Sequence, residues 1–144
     1  MQQLVNGLLM WAVSLSSYPE SVKLPGLIAV PHAQLEATLC NHEQCNAVAY
    51  YDHHADIVYY DQNLDLENSL IAKSFIVHEL VHYLQDQSGK MKHFPLACEA
   101  HISLEREAYQ VQQRYLSEHQ TVTHHIDMAI HLLGGVCDSV PETE

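Results

Sequence analysis

Basic residues are scarce in this chain: 6 Lys and Arg stand against 18 Asp and Glu, for a formal net charge of −12. A nucleic-acid binder carries a basic patch, so that class of function is set aside. The acidity serves solubility and gives at most a mild bias toward basic substrates. Cysteine is sparse as well. Cys40, Cys45, Cys98 and Cys137 are too few and too scattered for a disulfide-stapled miniprotein. The lack of any Cys-x-x-Cys pair argues against a cysteine zinc site, whereas Cys40 and Cys45 are close enough to bridge in an oxidising compartment. Long apolar runs are missing too. The stretch from Leu4 to Leu15 is broken by Asn6, Gly7 and Ser14, is too short to span a membrane, and has no basic residue before Lys23 to make it a signal peptide. The expectation is a soluble protein, cytoplasmic or exported with its signal removed, without internal repeats or low-complexity segments.

What is present suits one domain over residues 1–144 with one core: 47% of residues are hydrophobic and only 17% are charged. Leu4, Leu8, Trp11 and Leu15 recur at helical spacing up to Tyr18-Pro19. After the turn at Pro25-Gly26, residues 27–30 read as a strand, and residues 32–40 as a helix with Leu35 and Leu39 inward. Residues 47–52 and 56–61 are rich in Val, Ile and Tyr around His53-His54-Ala55, the pattern of an antiparallel hairpin with cross-strand tyrosine packing. From residue 68 to 88 helical character returns, apolar around most of the cylinder, with Gly89 placed to end it. Pro95 opens a last long helix to about Ser117, with a stripe of Ala97, Ala100, Leu104, Ala108, Val111 and Tyr115. Residues 118–144 read as a short helix packing on the core and a tail. The fold class expected is α+β: a short antiparallel sheet packed on a buried helix, followed by a second long helix.

The buried helix contains His78-Glu79-x-x-His82. Residues i and i+4 share a helix face, so both imidazoles can point at one metal ion. Glu79 lies about 100° around from His78, beside the metal rather than on it, where a general base for a metal-activated water belongs. A hydrolytic zinc site takes three protein ligands and keeps one position open. A His six residues beyond His82 with Gly at the third would supply the third ligand, but those positions hold Ser88 and Gln85. Glu99, Glu105 and Glu107 on the following helix compete for the role. With Leu104 at the centre of the stripe, Glu105 falls about 100° to one side, Glu107 about 60° to the other, and Glu99 toward solvent. Spacing does not separate Glu105 from Glu107.

His78-Glu79-x-x-His82 followed by a glutamate helix resembles the zincin metallopeptidases, and within them the gluzincins. Several of these carry Glu-x-x-Ala-Asp/Glu on the second helix, where the first Glu is the ligand and the acid supports a motif His. Glu105-Arg106-Glu107-Ala108-Tyr109 matches the Glu and the Ala and departs at Tyr109. The resemblance therefore implies a zincin-like domain in which His78, His82 and Glu105 hold one catalytic Zn²⁺, with Glu107 the rival third ligand. It further implies that Glu79 is the general base, that peptides or proteins are the substrate, and that residues 56–61 offer an edge to an extended peptide. Tyr109, His101 or a hairpin tyrosine would stabilise the oxyanion, and the hydrogen bond behind the histidines would come from the Tyr109 phenol or elsewhere. The match covers roughly residues 57–115. In length and in its Val-His-Glu-Leu-Val-His-Tyr-Leu-Gln context the chain also resembles small bacterial families of undefined function. Two other classes fit the same residues: a catalytically silent zinc-binding module or adaptor, and a metal buffer exploiting the chain's 12 histidines.

Overall fold

A computed structural model describes residues 2–21, 23–92 and 95–137. The fold is α+β, with five helices and a three-stranded mixed sheet among the described residues. The elements run α1 (Gln2–Ser14), β1 (Gly26–Val30), α2 (His32–Leu39), β2 (Ala49–Asp52), β3 (Ile57–Asp61), α3 (Leu70–Gln87), α4 (Cys98–Glu118) and α5 (His124–Leu133). Strand order is β1-β3-β2: β1 runs parallel to β3 through the α2 crossover, and β2 and β3 form the antiparallel hairpin. The Val/Ile/Tyr pattern marked the hairpin; the parallel partner β1 was legible only as an isolated strand. This arrangement corrects one expectation. With β1 on one side and β2 on the other, β3 has no free edge to offer a peptide. On the side nearer α3 the free edge belongs to β2.

The hairpin turn needs a residue in the left-handed region, and Asp56 supplies it at φ 57°. Tyr50 stacks on Tyr59 across the strands, with ring centroids 5.2 Å apart. Tyr60 points into the core. His32 pins the start of α2 to the end of β3, its Nδ1 2.8 Å from Asp61 Oδ2 and its Nε2 3.1 Å from the Cys45 carbonyl oxygen. Cys40 and Cys45 are bridged, closing the loop after α2, and a second disulfide, Cys98–Cys137, joins the first residue of α4 to the segment after α5. The separation of 39 residues between Cys98 and Cys137 carries no local signal.

Helix α3 is the centre of the molecule, contacting α1, α4 and the sheet. Ser69 caps its start, accepting from the Ala72 amide at 3.0 Å. Its end is a Schellman turn: Gly89 takes φ 85°, Lys90 N–H donates to the Gln85 carbonyl, and Gly89 N–H to that of Asp86. Between these ends Ile76, Val77, Leu80, Val81 and Leu84 are almost wholly buried. In α4 the buried set begins at Ile102 and continues through Leu104, Ala108, Val111 and Tyr115. Ala97 and Ala100, expected in the stripe, are exposed, because Ala97 caps the helix and the first turn stands beside an open cleft rather than over the core. Helix α5 docks through Ile126 and Ile130. Met128 and Leu132 face solvent, 57% and 63% exposed, so less of its apolar run meets the core than its composition suggested.

A candidate metal centre between α3 and α4

His78 and His82 lie one turn apart on the α3 face that meets α4, with ring centroids 5.0 Å apart. Glu105 comes across from α4. His78 Nε2 is 3.1 Å from Glu105 Oε1, and His82 Nε2 is 3.0 Å from Glu105 Oε2. One ligand atom from each of the three residues falls within 4.8 Å of the others, a group that can hold a metal ion.

Glu107, the rival on the same helix, turns the other way, where it accepts from the Tyr18 hydroxyl and from Gln85 Nε2. Of the two carboxylates that spacing left equal, Glu105 faces the histidines and Glu107 stands behind them. Glu99 is exposed, as expected.

The backing of the histidines fixes their chemistry. His78 Nδ1 is 3.0 Å from Gln112 Oε1, and His82 Nδ1 is 2.8 Å from Gln85 Oε1. The orientation of each amide follows from its far end. Gln85 Nε2 donates to the Leu104 carbonyl and to Glu107 Oε1, which only accept. Gln112 Nε2 donates to Ser74 Oγ, whose own proton goes to the Ile71 carbonyl. Each glutamine therefore presents an oxygen to Nδ1, so each Nδ1 is a donor there, and Nε2, the atom nearest Glu105, is the nitrogen a metal would take. Sequence reasoning missed Gln85 and Gln112. Their signal was a glutamine in the apolar positions of a buried helix, both being almost wholly inaccessible. Tyr109, at the position of the usual acid, packs its ring on His78 with centroids 4.5 Å apart and is not the partner of Nδ1.

Charge at the site is strongly coupled. Burial alone would push the His82 imidazole down, but the hydrogen bond to Glu105 and the charges of Glu79 and Glu105 outweigh it and hold its pKa up at about 9. Burial works against ionising Glu105, yet its bonds to both imidazoles take it well below the usual carboxylate range. Glu79 moves upward, chiefly through burial, while His78 and His82 and the backbone amide of Tyr51 favour its charge. Two carboxylates and two imidazoles thus share the site, and the oxygen and nitrogen donors they offer suit a divalent cation.

Glu79, His82 and Glu105 line a cleft of about 270 Å³ whose other walls include Leu39, Met91, Leu96, Leu104 and His101. Leu39 was expected on the inner face of α2; it is 45% exposed and belongs to this cleft instead. The Tyr51 hydroxyl lies 2.8 Å from Asp56 Oδ1 and 2.6 Å from Asp86 Oδ2, so its one proton is shared between two carboxylates, which removes it from the candidates for oxyanion stabilisation. Compared with protein-family models, curated proteins and solved structures, the chain matches none. The class defined by fold and site is a small α+β protein with a His₂Glu group able to hold a metal ion.

Proposed function

We propose that the chain is a zinc-dependent metallopeptidase, a minimal zincin of the gluzincin type, with Glu79 as general base. The observation that supports this most is the pair of histidines whose Nδ1 protons are committed to glutamine oxygens while their Nε2 atoms converge on one carboxylate. Two imidazole nitrogens and one carboxylate oxygen are a ligand set zinc accepts with a position left open, so the residues fit the ion. When bound there, zinc supplies Lewis acidity, acidifying water and polarising a carbonyl.

The protein's own groups do the rest. Glu79 borders the cleft next to His82 and is raised by burial toward the range of a working base. It takes the proton of the attacking water and delivers it to the departing amine. Leu39, Met91, Leu96 and Leu104 exclude bulk water from that transfer. His101, one turn before Glu105 and on the cleft wall, is the donor assigned to the oxyanion. The substrate strand lies along β2. Asp61 N–H bonds to the Val48 carbonyl, so with the hairpin register Tyr50 and Asp52 also face β3. Ala49 turns both backbone groups outward and Tyr51 its carbonyl, for an extended peptide to meet, while the Tyr51 amide is held by the Glu79 carboxylate. Two disulfides favour an oxidising compartment, hence export.

The test replaces Glu79 with Gln. The variant is expected to keep one zinc per chain and to lose about a hundred- to ten-thousandfold in cleavage of a peptide library. Undiminished cleavage by the variant, or none by the zinc-loaded native protein, overturns the peptidase; the second result leaves a silent zinc-binding module.

A further inference from the structure

The two imidazoles are backed by unequal supports. Behind His78, the chain Gln112–Ser74–Ile71 closes within the buried faces of α3 and α4. Behind His82, the chain runs out of the core. Gln85 Nε2 donates to Glu107 Oε1 at 2.9 Å, and the same oxygen accepts the Tyr18 hydroxyl at 2.5 Å. Lys90, delivered by the Schellman turn, donates to the Tyr18 oxygen at 2.7 Å and lies 4.9 Å from the centre of its ring.

We propose that Glu107 and Tyr18 are positioning residues for His82, locking Gln85 in the one orientation in which its oxygen accepts from His82 Nδ1, so that Nε2 is the nitrogen left for a metal. The proposal rests on the metal reading of His78, His82 and Glu105.

The direction of every proton in the chain supports it. An ammonium group only donates, so Lys90 occupies a lone pair of the Tyr18 oxygen and leaves the phenolic proton for Glu107. A carboxylate only accepts, so Glu107 collects from Tyr18 on one side and Gln85 on the other. Were the Gln85 amide to flip, its oxygen would face two acceptors, Glu107 and the Leu104 carbonyl, and its NH₂ would face His82 Nδ1. The Nδ1 proton would then lose its acceptor, and the ring would no longer be held with Nε2 presented to a metal. The Leu104 carbonyl belongs to the helix backbone and is always present. Glu107 is the part of the lock that a side chain supplies, and Tyr18 fixes the position of its oxygen. A tyrosine from the segment after α1 thereby governs a histidine on α3.

Three variants separate this from a merely structural role: Glu107→Ala, Glu107→Gln and Tyr18→Phe. Zinc affinity is read by chelator competition, and the His82 Nδ1–H bond to Gln85 by ¹H–¹⁵N NMR of the metal-free protein. Glu107→Ala is expected to weaken zinc binding by about ten- to a hundredfold and to weaken that hydrogen bond. Tyr18→Phe does the same less strongly, and Glu107→Gln, whose amide oxygen still accepts from Gln85, keeps both affinity and hydrogen bond. Wild-type behaviour in Glu107→Ala overturns the proposal. So does a loss in Glu107→Gln equal to that in Glu107→Ala, which would assign the effect to charge. A native protein that binds no zinc overturns the metal reading instead, while the NMR measurement of the Nδ1–H bond still decides the lock.

Discussion

His82 is the residue on which the site's chemistry turns. In the metal-free protein its pKa of about 9 means that it carries a proton at neutral pH, held between Glu79 and Glu105. A metal ion needs the bare Nε2, so binding must expel that proton. The sign follows: between pH 7 and 9 affinity should rise about tenfold per unit, with about one proton released per metal ion, and should level off above the pKa. Calorimetry in buffers of different ionisation enthalpy measures the released proton; an affinity flat with pH over that window contradicts the assignment. This residue-scale picture was partly legible in the sequence. The i, i+4 histidines and the intervening Glu79 are a local pattern, and local patterns survive folding. Gln85 and Gln112 were not legible because their meaning depends on which atoms of the neighbouring helix they meet. Gln85 reaches across to Leu104 and Glu107, and no spacing rule encodes that.

At the scale of elements, the site is the α3–α4 contact, and small residues set its width. Ala108 is fully buried one turn beyond Leu104, whose carbonyl accepts from Gln85, and on the side of α4 that carries Glu105. Replacing Ala108 with Leu should destabilise the fold by about 1–3 kcal/mol through overpacking, seen as a lower urea midpoint. It should also weaken metal binding, because Glu105 rides on the displaced helix. Unchanged metal affinity in a destabilised Ala108→Leu protein would show that the helices repack without moving the ligand. The helices themselves followed from periodicity, and α3 ends where Gly89 said it would. The sheet was read less fully. Alternation within residues 49–52 and 57–61 marks a hairpin, but the pairing of Gly26–Val30 with β3 is a non-local event. The expected peptide-facing edge therefore fell on the wrong strand.

For the whole molecule, net charge is the dominant long-range feature. At −12 the protein attracts basic ligands over acidic ones at long range. Under the proposed peptidase activity, peptides with basic residues should therefore show higher kcat/KM than matched acidic ones. The ratio should shrink as ionic strength rises from about 0.01 to 0.15 M, where the screening length falls from about 30 to 8 Å. A ratio indifferent to salt would place the preference in local contacts. The Cys98–Cys137 bridge has a different kind of consequence. It turns residues 98–137 into a covalent ring that contains α4, its Glu105, and all of α5. A single backbone cut in the turn at residues 119–123, such as a peptidase makes on a copy of itself, opens the ring without dividing the molecule. The severed α5 stays tethered to the first residue of α4, and Glu105 stays on an unbroken strand of chain with His78 and His82. Nicking there changes the number of chain ends, not the membership of the site.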